Sequence, residues 1–392
     1  MQYIRPDYFN EFKCVGGECP DNCCAGWQIV IDKDSLEKYK HQEGAFGNRL
    51  RNEIDWEEGV FHQYNGDCCF LNDEKLCDIY SEIGEENLCY TCKNYPRFTE
   101  EFDNLKEQFL CMSCPVVAEM LLGRNEKVTL ISSEDDEEME EIEDFDFLMF
   151  DKLQSSRNYL LDMLQTREHD IRLRQGILAA FGHDMQRRVR NLEFCTMDSL
   201  IEKYKGANTW SFFKDKKNEY GDRTADRYLV SKAMFKELEK LEIRKHEWER
   251  WLKRCELQLF AEGARGYLEV RQSFLDAMAS SKKLEDEMAL YLEQIMVYFL
   301  LHYYCGSVYD DNVYAKVKLS VLSALVIEEM ICAKWNISGK LPKKSDWVAI
   351  TYQYAREIEH SDENLETLDG VLVSEKVFGI QSLEKAILGL QV

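Results

Sequence analysis

Proline is scarce in this sequence. Four of the five prolines (Pro6, Pro20, Pro96, Pro115) precede residue 116, and Pro342 stands alone beyond it. Proline breaks helix interiors, so the long proline-free stretch permits long helices, and the first 120 residues read as loops and short elements. Long apolar runs are missing too. The most apolar stretches, Ile295 to Tyr304 and Val321 to Ile327, fall short of the roughly 20 residues that span a bilayer, so no membrane partner is expected. The opening MQYIRPDYFNEFKC lacks a basic segment followed by an apolar run, which argues against a secretory signal and for a cytoplasmic protein. Positive charge is in the minority. With 49 Lys and Arg against 73 Asp and Glu, the formal net charge is -24. Such a balance repels nucleic acid and anionic lipid and suits a basic, lysine-bearing protein surface. No Gly-x-Gly loop follows a strand-like run, so the common nucleotide-fold signature is absent.

Hydrophobic residues make up 45% of the chain and aromatics 12%, enough to build a buried core. Apolar residues recur at three and four over Phe147 to Leu164 and Ile171 to Val189, the helical period. Tyr228 to Phe260 supports one or two helices. Glu285 to Tyr304 and Tyr314 to Trp335 are apolar throughout and read as the buried centre. Asp346 to Glu359 and Ser382 to Leu390 complete the set. Ser345 is the expected cap of the helix from Asp346, and Asp34 or Ser35 of one through Leu36 to Tyr39. Short strands are expected near Trp27 to Ile31 and Val128 to Ser132. The fold class is therefore mainly α: a loop-rich, cysteine-bearing metal-binding domain at 1–133, an acidic linker at 134–146 with ten carboxylates in thirteen positions, and a helical domain at 147–392.

Cysteine is abundant and unevenly placed. Eleven of the fifteen lie within residues 1–114. In a reducing compartment a disulfide framework is not expected, and thiolate coordination of a metal is the ordinary cause of such a concentration. The first cluster is Cys14-x4-Cys19-x3-Cys23-Cys24, in a loop rich in turn formers, which lets the backbone curl around an ion. The second holds Cys68, Cys69, Cys77 and the pair Cys89-x2-Cys92, and a third pair is Cys111-x2-Cys114. Two-residue gaps of this kind recur in zinc and iron–sulfur sites, and an all-cysteine set suits either. None of the seven histidines falls in zinc-finger spacing. The x3-then-x2 triplet of radical S-adenosylmethionine enzymes is not met either, because Gly26 stands where the third cysteine would be.

The stretches RPDYFNEFKC…CPDNCCAGWQIVID and CCFLNDEKLCDIYSEIGEENLCYTCKNYPR resemble the flagellin lysine-N-methylase family, and with it a wider family bearing a zinc- or iron-chelating cysteine domain. Cys14, Cys19, Cys23 and Cys24 match the family's loop, Cys69 begins Cys-Phe-Leu, Cys77 begins Cys-Asp-Ile-Tyr, and Cys92 begins Cys-Lys-Asn-Tyr-Pro, where Lys93 replaces the usual arginine. Cys68, Cys89, Cys111 and Cys114 are additional to that pattern. The resemblance covers about the first 115 residues. It implies methyl transfer from S-adenosylmethionine to lysines of flagellin or another lysine-bearing protein, with a [4Fe–4S] cluster or, alternatively, zinc. The metal set is then Cys14, Cys19, Cys23, Cys24, Cys69, Cys77, Cys89, Cys92, Cys111 and Cys114. Aromatic rings can hold a sulfonium and an arginine a cofactor carboxylate, so Trp27, Tyr95 and Arg97 are the expected cofactor-binding residues, and the catalytic residues are open. Two further readings stand beside this one: a non-catalytic metal-binding or interaction protein, and an iron–sulfur electron carrier.

Overall fold

A computed structural model describes residues 1–136, 142–221 and 224–389. Helices take up 64% of it, so the protein is mainly α. Residues 137–141 of the acidic segment lie outside the described residues.

The centre of the molecule is the helix Val313–Ser338, whose side chains are buried from Val313 to Ala333 except Lys316. It is apolar around its whole circumference, which is the pattern of a helix wrapped on all sides. Lys282–Tyr303, Ile171–Arg190, His246–Phe260, Lys344–Glu359 and Asp362–Val373 pack around it. Gly339, at φ 63°, ends it. Its N–H returns to the Trp335 carbonyl at 2.8 Å, a left-handed stop that glycine adopts without a Cβ penalty. Where Ile171–Arg190 crosses this helix, a Cβ added at Gly182 would meet the Val317 side chain at 2.7 Å. Only glycine lets the two backbones approach so closely. Gly182→Ala is therefore expected to cost about 1–3 kcal/mol through overpacking. A urea midpoint lowered with an unchanged slope would show it, and an unchanged midpoint would mean that the crossing has slack.

The expected helix Phe147–Leu164 has those ends, and Asp146 caps it by accepting from the Met149 amide at 2.9 Å. The Tyr228 to Phe260 region resolves into Thr224–Leu238 and His246–Phe260. The capping expectations need correction. Asp32, not Asp34 or Ser35, caps Lys33–His41 by accepting from the Ser35 amide, and the helix near Ser345 starts at Lys344 with Lys343 as its N-cap residue. In both cases the chain enters the helix a turn or less before the first apolar residue, so periodicity placed the start too late. The strand near Trp27 to Ile31 is not formed either. Within that segment only Val30 makes a bridge, to Val60, and turns at Cys23 and Cys24 precede it. The expected strand near Val128 falls at Leu130–Glu134.

Strands Arg97–Phe102, Leu105–Leu110, Gln2–Pro6 and Leu130–Glu134 form a sheet in that order. Gln2–Pro6 runs parallel to Leu105–Leu110 and antiparallel to Leu130–Glu134. The inner face of Leu105–Leu110 carries Leu105, Glu107 and Phe109. Glu107 is buried there because Arg157, on the adjoining helix, pairs with it.

Two apolar cores result. The large one runs from Tyr8 through the helices to Leu388. The small one gathers Ile29, Ile31, Tyr39, Leu50, Ile54, Phe61, Phe70 and Ile79 with Cys68 and Cys89.

Candidate functional site

The cysteine loop is shaped by its own polar residues. Asn22 accepts from the Cys24 amide at 2.6 Å and donates to the Lys75 carbonyl. The Cys68 amide bonds to the Cys24 carbonyl at 2.8 Å. These bonds bring Cys24 to the second cluster. Its thiol shares a hydrogen bond with Cys23 and another with Cys77, which holds the Cys23 and Cys77 thiols below their usual range, Cys77 to about 7, and pushes Cys24 far up. Cys89 and Cys92 form a similar pair, Cys89 low and Cys92 high. Cys69 is pushed up by its bond with Cys68.

Cys77, Cys89 and Cys114 each sit at the N-cap of a short helix, Asp78–Ile83, Tyr90–Asn94 and Pro115–Leu122. The first-turn amides favour a thiolate there, as the positive end of a helix does for any anion. Burial outweighs them at Cys114, whose thiol rises to about 11. Burial likewise raises Cys19 and Cys111. Cys14 is exposed. All fifteen cysteines are free thiols. Among the described residues, no three His, Cys, Asp or Glu side chains form a group that could hold a metal ion as they stand. The donor chemistry suits a thiophilic centre, and Cys23 and Cys77 are both joined to Cys24 by hydrogen bonds.

The helical part closes over this loop. Arg356, 2% exposed, donates from Nε and Nη2 to the Ser113 carbonyl at 3.2 and 3.1 Å. Its Nη1 lies 2.9 Å from Asp21 Oδ2. Lys245 holds the other Asp21 oxygen at 2.7 Å. Asp21 is thus clamped by two cations, and Asp78 by Arg49 at 2.6 Å and Asn72 at 2.8 Å. Trp27 donates its indole N–H to the Cys23 carbonyl at 2.6 Å. Its ring lies 5.6 Å from Tyr95 and 4.5 Å from His360. Both His360 nitrogens are buried without partners among the described residues, and burial first, then the nearby Arg356, Arg244 and Lys245, keep the ring neutral. Trp27 and Tyr95 therefore come together. Arg97 stands apart on its strand, its guanidinium 5.2 Å from the Phe12 ring. Tyr80 and Tyr90 are exposed.

Beside Trp27 is an open cavity of about 350 Å³, walled by Val60, Phe61, Asp55 and Gln28 of the cysteine-rich part and by Ile243 and Arg244 of the helical part. Tyr95 and Arg97 do not line it. Sequence reasoning missed Lys245, Arg244, Arg356 and His360. Each lies more than 200 residues from the cysteine loop, and no local pattern marks any of them.

The model of the FliB lysine N-methylase C-terminal domain matches residues 157–386, more than half of the chain. The chain belongs to this family. Arg244, Lys245, Arg356 and His360 all fall inside the matched span, so the family's helical domain supplies one wall of the cavity and the clamp on the cysteine loop. The flagellar biosynthetic protein FliU of Salmonella muenchen is 28% identical over 135 residues, 32% of this chain and 80% of that protein. The lysine-N-methylases of Salmonella typhimurium and Salmonella choleraesuis are each 27% identical over 135 residues, 32% of this chain and 34% of theirs. The chain thus spans about a third of the length of those two methylases. No solved structure matches it. No helix among the described residues is long and apolar enough to cross a membrane.

Proposed function

We propose that this protein transfers methyl groups from S-adenosylmethionine to the side-chain amines of lysines on a protein such as flagellin. Membership of the FliB lysine N-methylase family carries the reading, and the net charge of -24 supports a basic, lysine-rich acceptor. In the reaction the lone pair of a neutral lysine amine attacks the methyl carbon. The C–N bond forms as the C–S bond breaks, the electron pair stays on sulfur as a neutral thioether, and the amine proton passes to water. A lysine amine has a pKa near ~10.4 in water and is an ammonium at neutral pH, so removing a proton before the attack and aligning the two reactants are the tasks left to the protein. Of the expected cofactor contacts Trp27, Tyr95 and Arg97, Trp27 lines a cavity and lies beside Tyr95.

The metal centre belongs to the same proposal. Thiolates drawn from Cys14, Cys19, Cys23, Cys24, Cys69, Cys77, Cys89, Cys92, Cys111 and Cys114 would hold an iron–sulfur cluster or zinc. The hydrogen-bonded run Cys23–Cys24–Cys77 and the low thiols at helix N-termini support it. When bound, such a centre would staple the loops that carry Trp27 and Tyr95.

The test is direct. Protein purified without oxygen is incubated with methyl-labelled S-adenosylmethionine and flagellin, and label is expected on flagellin lysines. Metal-loaded protein that leaves flagellin and other lysine-rich proteins unlabelled would overturn the reading and favour a non-catalytic metal-binding role.

A further inference from the structure

We propose that the cavity beside Trp27 is the seat of the methyl donor, an inference that rests on the methyl-transfer reading above. At about 350 Å³ it lies within the range of small-molecule sites, roughly 300–1,000 Å³. The donor carries an aromatic base, a vicinal diol, a sulfonium and a zwitterionic amino-acid end. The cavity offers groups that match parts of the donor. Trp27 presents an aromatic ring for the base or the sulfonium. Val60 and Phe61 supply an apolar wall.

Asp55 supplies a carboxylate for the diol or the ammonium. Its Oδ1 accepts from the Glu57 and Glu58 amides at 3.0 Å each, and these bonds fix the side chain while leaving the second oxygen without a bond to the described residues. Arg244 supplies a guanidinium for the carboxylate. It is anchored by the His360 carbonyl and lies 3.6 Å from Glu242. Arg244 lines the cavity, its Nε being buried.

The opposed charges suit a zwitterion, whose ammonium faces Asp55 and whose carboxylate faces Arg244. The cavity also joins the two parts of the molecule, so filling it ties the Ile243–Arg244 segment to the cysteine-rich body.

Calorimetry on the full, metal-loaded chain tests the proposal, with S-adenosylhomocysteine as the probe. Asp55→Asn keeps the turn acceptor and loses the charge. Arg244→Gln removes the guanidinium and its charge. Gln28→Trp fills the mouth from an exposed position. Each is expected to weaken binding roughly tenfold or more, the scale of a lost charge-assisted hydrogen bond, with circular dichroism and metal content unchanged. Binding of 5′-methylthioadenosine, which lacks the amino-acid end, should be indifferent to Arg244→Gln. Equal binding of S-adenosylhomocysteine by wild type and all three variants would place the donor elsewhere while leaving lysine methylation intact. Absence of both binding and flagellin labelling in the wild type would remove the two readings together.

Discussion

Glu328→Gln is expected to destabilise the helical part by about 3–5 kcal/mol, the scale of a buried ion pair that loses one partner. Glu328, Glu329, Arg227 and Arg271 are fully buried, and Arg172 nearly so. Glu328 takes Arg172 on both oxygens, Arg227 at 3.0 Å, and Arg271. Glu329 takes Arg227 at 2.7 Å and the Tyr267 hydroxyl at 3.0 Å. Three guanidinium groups thus face two carboxylates. Neutralising Glu328 leaves three cations against one anion in a medium that solvates none of them. The urea midpoint should fall sharply, or soluble yield should collapse. Glu329→Gln should cost less, because one Glu329 oxygen already lacks a partner.

The pH dependence has a fixed sign. Burial opposes ionisation of Glu328, but Arg172, Arg271 and Arg227 outweigh it and hold the carboxyl well below its ordinary 4.5. The folded-state pKa is thus below the unfolded one. The stabilisation is present above about pH 4.5 and is lost as pH falls toward the folded value. Acid unfolding followed by circular dichroism should show this limb in the wild type and a flatter one in the variant. A wild-type midpoint for Glu328→Gln at pH 7 would mean that the network contributes nothing net.

On the proposed reading, Cys24→Ser and Cys77→Ser each remove a metal ligand and are expected to loosen residues 14–95 and abolish lysine methylation. The small core there has ten buried residues, and cores of that size are marginal without a staple. Structural zinc contributes roughly 10–16 kcal/mol in comparable small peptides, so losing one ligand can exceed the stability of the whole body. Cys195→Ser, at an exposed position in the helical part, is the control and should change nothing. Metal analysis, protease sensitivity and label transfer should move together. If both serine variants keep metal, fold and activity, the thiols of the Cys23–Cys24–Cys77 run are packing groups only.

Much of the helical part was legible beforehand. Phe147–Leu164 and Ile171–Arg190 carry their apolar residues at helical spacing, a signal that local geometry alone produces. Others were not. Met197–Lys205 and Asp362–Val373 carry apolar residues at helical spacing, but over only nine and twelve residues, and Asn208–Tyr220 is strongly charged with one buried residue. Of the hairpin, Leu105–Leu110 alternates in burial and Arg97–Phe102 does not, and the buried Glu107 reads as an outward residue until Arg157 is seen beside it.

Composition and spacing by themselves determined a mainly helical chain, no membrane-spanning helix, and a thiol-rich front third suited to a soft metal. These follow from properties each residue carries with it: backbone preference, hydropathy, charge and donor type. The tertiary structure alone decided that Gln2–Pro6 lies parallel to Leu105–Leu110, that Arg356 and Lys245 clamp Asp21, and that Arg244 meets Trp27 across a cavity. Those contacts join residues one hundred to more than three hundred positions apart. Chain neighbours carry no trace of such pairings, because they arise only when the core packs and brings distant segments within reach.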